Sequence, residues 1–228
     1  MLIDTVVFLP FVAALALLLL PKANVAAIKT LALLGAVATF LLSLKFLNLG
    51  PSFVAQHSTS WISGTWYAAY HVRVDGLNVF FILLTTLVAV PVVWAAFSYA
   101  DASRVRGYLC LLLTFETTLL GLFTAGDLLL FYVYWDLMLI PVFLLLIGYT
   151  DSPDARRSAW AYLIYNGAGG LVLLLGLVGL VAQTHSFEVL GRSFNLSGET
   201  WLFAAFALAF LIKTPVFPLH GWMPVTYT

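Results

Sequence analysis

The chain has 228 residues, of which 63% are hydrophobic and only 9% are charged, against roughly 25% charged residues in soluble domains. The formal net charge is zero, so nothing in the charge balance indicates a nucleic-acid partner. The single cysteine, Cys110, cannot form an internal disulfide, a zinc site or an iron–sulfur cluster. The composition therefore predicts an integral membrane protein.

Seven apolar segments are each near the roughly 20 residues that a helix needs to cross the hydrocarbon core of a bilayer. We therefore predict an all-α fold, a polytopic bundle of about seven transmembrane helices. The first segment carries Asp4 and lacks the basic start of a signal peptide, which favours a retained helix. The predicted spans are Leu2–Leu20, Val25–Leu49, Leu77–Tyr99, Tyr108–Ala125, Leu128–Tyr149, Ala159–Ala182 and a segment that begins at Trp201 and breaks near Lys213.

The longest connection between spans is a polar interval of residues 50–75. Its tail, Trp66–Gly76, partly alternates between polar and apolar residues and ends in a turn signal. This pattern predicts a short β-hairpin there.

Glycines recur along the sixth span, at positions 167, 169, 170, 176 and 179. Lipid tails give helices no hydrophobic reason to associate, so transmembrane helices pack through small residues. We interpret these glycines as sites of close helix packing.

Basic residues are concentrated at the odd-numbered connections between the predicted helices. Lys22 and Lys29 flank the first connection, Arg104 and Arg106 the third, and Arg156 and Arg157 the fifth, whereas the even-numbered connections hold Arg73 and Arg192, with Lys45 just before the first of them. By the positive-inside rule, the odd connections lie in the cytoplasm and the N-terminus lies outside. The seventh helix then runs from the outer side toward the cytoplasm.

Three acidic residues lie in or beside the central spans. Glu116 lies well inside the fourth span and Asp136 at the middle of the fifth, while Asp127 between them can cap the fifth helix at its positive end. A lone charge at the bilayer centre costs at least ~2.5 kcal/mol. The two acids lower this cost best by facing one interior together with Lys213. We therefore expect Glu116 to face the fifth helix or a neighbouring subunit rather than lipid.

The seventh span ends in Lys213, followed by prolines at 215, 218 and 224. A proline in a helix removes a backbone hydrogen bond, so the helix should break near this lysine. A charged amine beside broken backbone at membrane depth is typical of an ion pathway. The alternatives are a lysine that reaches the interface at an ordinary helix end, and an acid–lysine pair with a purely structural role.

Two motifs in this part of the chain resemble the M-type antiporter-like subunit of respiratory complex I, the proton-pumping NADH:quinone oxidoreductase. Residues 127–141, DLLLFYVYWDLMLIP, resemble the fifth-helix motif of that family, and residues 212–224, IKTPVFPLHGWMP, resemble its seventh-helix motif. The resemblance implies that Asp136, where the family normally has glutamate, pairs electrostatically with Lys213 to gate proton transfer. The site residues that we assign are Asp136, Lys213, Glu116 and His220.

The sequence departs from the family pattern in three places. Asp136 is one methylene shorter than glutamate, so its contact with Lys213 should be longer, and Ala161 occupies a position where many relatives have a lysine. Relatives also continue beyond residues 225–228 into an eighth helix and a second, inverted five-helix repeat. We therefore expect an N-terminal fragment or a truncated product. In it, residues 1–106 form two helices, the long outer loop and the third helix, and residues 107–228 form an incomplete first antiporter-like repeat.

The resemblance implies a proton-translocating membrane subunit of NADH:quinone oxidoreductase in a bacterial inner membrane. Its expected partners are the other membrane subunits of the complex, the lipid bilayer and the protons that it carries. The sequence has no dinucleotide-binding fingerprint and no set of cluster ligands, so we expect no cofactor or metal in this chain. The redox chemistry then belongs to other subunits.

Two other functions stay open from the sequence. The first is a subunit of a multisubunit sodium/proton antiporter or of a membrane-bound hydrogenase, since such subunits are similar in these helices. The second is a structural element of an assembly, without transport.

The predicted orientation is tested with accessibility tags. A tag at Ser152, in the fifth connection, should report the cytoplasm, and a tag at Ser197, in the sixth, should report the outside, because of the arginine asymmetry. The reverse labelling would overturn both the orientation and the direction of the seventh helix.

Overall fold

The computed structural model of the chain describes residues 1–49, 54–62, 66–99, 103–149, 154–188 and 197–223. The elements within these ranges are α1 (Leu2–Leu19), α2 (Val25–Ser43), β1 (Ala55–Ile62), β2 (Ala68–Val74), α3 (Asn78–Tyr99), α4 (Val105–Thr124), α5 (Leu128–Leu137), α6 (Leu139–Tyr149), α7 (Ala155–Thr184) and α8 (Glu199–Lys213). A 3₁₀ helix, Leu44–Leu49, follows α2. The sequence interpretation also used Ser152, Arg192, Pro224 and residues 225–228, which lie outside the described residues.

Most of the helices are long and apolar enough to cross a membrane. Six segments of the described chain qualify by length and composition: Leu2–Leu19, Val25–Asn48, Asn78–Ser98, Val105–Thr124, Leu128–Tyr149 and Ala155–Thr184. They coincide with the first six predicted spans. The seventh corresponds to α8, a helix of 15 residues that ends at Lys213. The predicted helical membrane fold, with its last helix ending near Lys213, is confirmed, and the chain is an integral membrane protein.

The fifth predicted span consists of two helices, α5 and α6, which are separated at Met138. In a continuous helix the carbonyl of Leu137 would accept a hydrogen bond from residue 141, but Pro141 has no N–H to donate. The backbone of Met138 keeps helical dihedral angles (φ −64°, ψ −18°), so the missing hydrogen bond weakens the span at this point without ending it. Asp136 lies in the last turn of α5.

The polar interval contains a two-stranded sheet formed by β1 and β2. The hairpin predicted within Trp66–Gly76 is wrong in extent, because only β2 lies in that segment and its partner β1 lies earlier in the chain. Seven of the eight residues of β1 are exposed, so β1 lacks the apolar and polar alternation that marks a half-buried strand. By contrast, β2 buries Val72 and Val74.

The helices and strands gather into two compact units. Unit 1 consists of Met1–His57 and Val72–Ala125. In this unit α1 packs against α2 and α4, and α3 packs against α2 and α4. Its core includes the fully buried side chains of Leu17, Ile28 and Leu109.

Unit 2 consists of Ser58–His71 and Gly126–Thr228. Its central element is α7, which packs against α5, α6 and α8. One part of its core joins Leu139, Tyr162 and Trp222, and the rings of the last two meet edge to face with centroids 5.6 Å apart.

Of the five glycines predicted as packing sites on α7, Gly169, Gly176 and Gly179 lie against α8, whereas Gly170 lies against Asp136 of α5 and an added Cβ at Gly167 meets no described atom within 4 Å. A Cβ added at Gly169 would lie 3.0 Å from Cγ2 of Ile212, and a Cβ at Gly179 would lie 2.5 Å from Cζ2 of Trp201. Larger side chains at these positions would therefore push α8 away from α7. Small residues at the interface are what allow two such helices to pack closely within a membrane.

Asp127 caps α5, which confirms the prediction from its position. Its Oδ1 accepts hydrogen bonds from the backbone N–H groups of Leu129 at 2.8 Å and Leu130 at 3.2 Å. Its Oδ2 accepts a third from Ala69 of β2 at 3.1 Å. Burial raises the pKa of the Asp127 carboxyl, and the three N–H donors oppose this rise because they favour the carboxylate. One side chain thus fixes both the start of α5 and the adjoining strand.

Candidate functional site

The backbone at the end of α8 keeps its carbonyl groups paired within unit 2. Pro215 has no N–H to donate to the carbonyl of Leu211, and the N–H of Val216 donates to that carbonyl instead, at 3.1 Å. The carbonyl of Ile212 accepts a hydrogen bond from the indole N–H of Trp222 at 2.9 Å. Irregular backbone at membrane depth is tolerated only where protein or water pairs the freed groups. The turn that follows α8 supplies these partners.

Lys213 is the last residue of α8, and its side chain is half-buried. Its Nζ lies 4.8 Å from the centroid of the Trp135 ring on α5, a cation–π contact that contributes roughly 0.5–2 kcal/mol depending on desolvation. The carbonyl groups at the C-terminal end of α8 also favour a positive charge there. Among the described residues, Nζ has no hydrogen-bond partner.

Aromatic rings hold α5 against α8 beside this lysine. The buried ring of Trp135 meets the ring of Phe210 edge to face, with centroids 5.3 Å apart and an interplanar angle of 83°. Phe131, one turn earlier on α5, also contacts Phe210, at a centroid distance of 6.5 Å. These contacts set the side of α5 that faces the end of α8.

Asp136 lies next to Trp135, in the last turn of α5. The hydroxyl of Tyr132, one turn earlier, hydrogen-bonds to its carboxylate. Its Oδ1 is buried and has no hydrogen-bond partner within the described part of the chain. Lys213 lies near this residue because its Nζ contacts the ring of the neighbouring Trp135, although no hydrogen bond reaches Nζ within those same residues. Unit 2 therefore brings the predicted acid and lysine into one region without joining them in a hydrogen-bonded ion pair.

A glycine of α7 makes room for the Asp136 carboxylate. A Cβ added at Gly170 would overlap Oδ1 of Asp136 and lie 3.0 Å from its Cγ. The carboxylate is thus packed directly against the backbone of α7. By contrast, a Cβ added at Gly167 meets no atom within 4 Å in the described chain.

His220 follows the end of α8, in the turn that carries the second part of the motif. Its ring lies 5.6 Å from that of Phe217, between centroids, and its Nδ1 is buried without a hydrogen-bond partner among the residues described. In the same ranges, no hydrogen bond or ion pair links it to Asp136 or Lys213. Its place in the site stays a prediction.

Sequence reasoning missed Tyr132, Gly170 and Asn166. Asn166 is buried in α7, donates from Nδ2 to the carbonyl of Tyr162 at 3.0 Å, and has no partner for Oδ1 in the part of unit 2 that the structure describes. It lies one turn before Gly170, on the same face of α7. An amide in the interior of a predicted span was a signal that pointed to it. The role of Gly170 depends on which helix faces it, and no local pattern reveals that.

Glu116 lies on α4, in unit 1, and its side chain is only 3% exposed. Neither of its carboxyl oxygens has a hydrogen-bond partner among the described residues. It lines a cavity between α3 and α4 together with Phe115 and Leu119 of its own helix. The expectation that it faces the fifth helix or a neighbouring subunit stays a prediction.

Comparison with known proteins places this architecture among respiratory membrane proteins. Residues 125–228 match the family described as "NADH:quinone oxidoreductase/Mrp antiporter, TM". The chain is 30% identical to NADH-quinone oxidoreductase subunit M of Rhodobacter capsulatus, over 98% of this chain and 47% of that protein. It therefore spans about half the length of the relatives that it matches.

Two solved structures share the fold. One is a chain of respiratory complex I from Thermus thermophilus with bound NADH, with a TM-score of 0.81 and 33% identity over 99% of this chain and 46% of that chain. The other belongs to the membrane-bound sulfane sulfur reductase, an archaeal respiratory membrane complex, with a TM-score of 0.81 over 99% of this chain and 47% of that chain. Its 17% identity shows likeness of fold alone.

The matched residues, 125–228, include both motifs on which the resemblance was based, and the similarity to subunit M extends over nearly the whole chain. The resemblance is thereby confirmed: residues 125–228 match the NADH:quinone oxidoreductase/Mrp antiporter transmembrane family, and the chain is similar over nearly its whole length to the N-terminal half of M-type subunits.

Proposed function

We propose that the chain is a proton-translocating membrane subunit, or part of one, of a bacterial NADH:quinone oxidoreductase. The observation that supports this most is the position of Asp136 and Lys213, which interact in one region of unit 2, each in the last turn of a helix. Both have buried polar atoms without a hydrogen-bond partner among the described residues. Structural polar groups in protein interiors are normally paired, so this arrangement favours transport over a purely structural role.

The couple can act as a gate because each charge changes the protonation energy of the other. A proton that crosses a bilayer works against ~2.3 kcal/mol per 100 mV of potential, so the gate must switch by an energy of that order. A change of one unit in the pKa of a side chain corresponds to ~1.4 kcal/mol. If the gain or loss of a nearby charge shifts the pKa of Lys213 by one or two units, the energy is enough to switch the gate. Asp136 and Lys213 therefore need to change their separation rather than form a permanent ion pair.

The helix ends provide the places at which such a movement can occur. The span of α5 and α6 lacks one helical hydrogen bond near Met138, and the turn after Lys213 is held by side-chain and backbone bonds that do not continue α8. A helix that ends at membrane depth is a usual element of ion sites in transporters. We infer that proton transfer is coupled to rearrangement at these two ends.

The partners in this proposal are the other membrane subunits of the complex, with the proton as the transported ion. The chain would lie in a bacterial inner membrane with its N-terminus outside, as the arginine distribution indicates. Residues 107–228 would belong to the first antiporter-like repeat and residues 1–106 to the part that precedes it. Cofactors and redox chemistry would belong to other subunits.

A second candidate is a subunit of a multisubunit sodium/proton antiporter or of a membrane-bound hydrogenase. The description of the matched family supports this second candidate, because that description names the Mrp antiporter together with NADH:quinone oxidoreductase. Neighbouring genes for quinone-module subunits would support the first proposal, and neighbouring antiporter genes the second. A non-transporting structural element would not need hydrated Asp136 and Lys213, so labelling of cysteines placed at 136 and 213 by a water-soluble reagent tests that alternative.

Substitution of the lysine tests the gate. In vesicles that carry the assembled complex, Lys213→Ala should abolish proton pumping, measured with a pH-sensitive dye, while assembly stays largely intact. Lys213→Arg should fail as well, because arginine keeps its proton at all accessible pH values. Normal pumping by Lys213→Arg would show that the residue is only a fixed charge.

The acid is tested in the same vesicles. Asp136→Asn should abolish pumping as Lys213→Ala does, whereas Asp136→Glu should be tolerated because it restores the carboxylate that the family normally carries. If Asp136→Asn pumped at the normal rate, the couple would have to be abandoned and Lys213 assigned another partner.

The glycine that makes room for the acid provides a further test. Gly170→Ala should displace the Asp136 carboxylate and lower the pumping rate on the order of tenfold or more, since small misplacements of reacting groups cost this much. Gly167→Ala is the matched control, since its added Cβ meets no atom within 4 Å in the described chain, and it should pump normally. Equal rates for the two variants would show that the position of the carboxylate is not critical.

Glu116 should contribute less than the couple. Glu116→Gln should lower the pumping rate less than Asp136→Asn, because the sequence around Glu116 matches a looser family pattern. The comparison is made by the same dye assay at equal amounts of assembled complex. A loss from Glu116→Gln as large as that from Asp136→Asn would reverse this order.

A further inference from the structure

The amide side chain of Asn166 lies inside unit 2 with only one of its ends hydrogen-bonded. Asn166 belongs to α7 and is 1% exposed. Its Nδ2 donates to the carbonyl of Tyr162 at 3.0 Å. A carbonyl oxygen can only accept, so this bond fixes which end of the amide is the nitrogen. The other end, Oδ1, is a buried acceptor without a hydrogen-bond partner among the described residues.

The neighbours of Asn166 on α7 show which part of unit 2 it faces. A helix turns by about 100° per residue, so Gly170 lies about 40° to one side of Asn166 and Gly169 about 60° to the other. Gly170 lies against the carboxylate of Asp136 on α5, and Gly169 lies against Ile212 on α8. Asn166 therefore faces the seam between the ends of α5 and α8.

The side chain of Lys213 crosses the same seam. It starts at the last residue of α8, next to Ile212, and its Nζ lies 4.8 Å from the centroid of the Trp135 ring on α5. Nζ is buried and has no hydrogen-bond partner in the described ranges. The seam thus contains a donor group without an acceptor at Lys213, and it is faced by an acceptor without a donor at Asn166.

The chemistry of these groups determines what the amide does for the lysine. An ammonium group has three N–H donors and no acceptor, so it needs an acceptor in every position that it occupies. Asp136 supplies one only while Lys213 lies beside it, and a buried charge that loses its partner is strongly destabilising. A neutral amide attracts the ammonium group less strongly than a carboxylate does, so the lysine is held at Asn166 and is still free to return.

We propose that Asn166 is a positioning residue of the gate: its Oδ1 accepts a hydrogen bond from the ammonium group of Lys213 when the lysine lies away from Asp136. This inference rests on the proposed function, because it supplies the second of the two arrangements that the gate requires. The lysine side chain is a flexible four-carbon stem, so its Nζ moves between the two acceptors by side-chain rotation. Asp136 and Asn166 are the two ends of that movement.

Solid-state NMR tests the hydrogen bond, on the full chain in lipid bilayers with isotope labels at the asparagine Cγ and the lysine Nζ. Dipolar dephasing should place Cγ of Asn166 within about 4.5 Å of Nζ of Lys213, since one hydrogen bond and one C=O bond separate them. The dephasing should increase in Asp136→Leu, which has a similar shape and lacks the competing carboxylate. It should fall in Asn166→Val to the background that the other asparagines give.

Two variants of nearly equal shape test the role of this bond in the gate. Asn166→Thr keeps an oxygen acceptor, whereas Asn166→Val has a methyl group in its place. In vesicles that carry the assembled complex, Asn166→Val should lower the pumping rate about tenfold, the effect of one lost hydrogen bond to a charged group. Asn166→Thr should keep most of the rate. Gly167→Ala is the control on the same helix and should pump normally, since its added Cβ meets no described atom within 4 Å.

The two measurements separate this inference from the proposed function. Normal pumping by Lys213→Ala would reject the gate, whereas the NMR distance does not depend on transport. Dephasing no greater than background in both the unaltered chain and Asp136→Leu would overturn the bond to Asn166. Equal pumping by Asn166→Val and Asn166→Thr would overturn its positioning role and leave the couple of Asp136 and Lys213 in place.

Discussion

The pairing of backbone groups inside a membrane is the constraint on which the rest of the structure depends. In hydrocarbon a peptide N–H or carbonyl without a partner costs several kcal/mol, so a helix can be interrupted only where the chain itself supplies replacements. Pro141 and Pro215 each remove one donor; the first leaves its span helical with one bond missing, and α8 ends at Lys213 before the second. The bonds from Val216 and Trp222 to carbonyl groups of α8 make the second interruption tolerable.

The end of α8 also explains why a cation lies there. The carbonyl end of a helix favours a positive charge and disfavours a negative one, so this effect acts on Lys213 and not on Asp136. Lys213 gains from the carbonyl end of α8 and from the face of Trp135. Asp136 gains from the Tyr132 hydroxyl and from the space that Gly170 leaves. Small residues on α7 thus serve both helix packing and the position of a carboxylate.

The sequence predicted those features that depend on neighbouring residues in the chain. The spans follow from apolar length, the cap at Asp127 from its position before an apolar run, and the end of α8 from Pro215. It did not predict that the fifth span is weakened near Met138, although Pro141 offered the signal, because the apolar run continues through it. Strand β1 was missed because its exposed residues carry no alternation. Contacts such as that of Gly170 with Asp136 depend on which helix faces which, and a single sequence does not encode this in a local pattern.

The unsatisfied polar atoms of the two units differ in a way that separates their roles. In unit 2 the Asp136 carboxylate has an oppositely charged neighbour, Lys213. A movement that changes their separation therefore changes the electrostatic energy of both side chains. The polar atoms of these two side chains that lack a hydrogen bond thus belong to a pair with two arrangements. In unit 1 both carboxyl oxygens of Glu116 are buried and have no hydrogen-bond partner among the described residues. Each unmet bond costs stability of roughly 1–3 kcal/mol, and proteins retain such costs chiefly where function requires them. A partner of opposite charge inside the same unit favours switching between two arrangements, and this is the physical basis of the proton transfer proposed for Asp136 and Lys213.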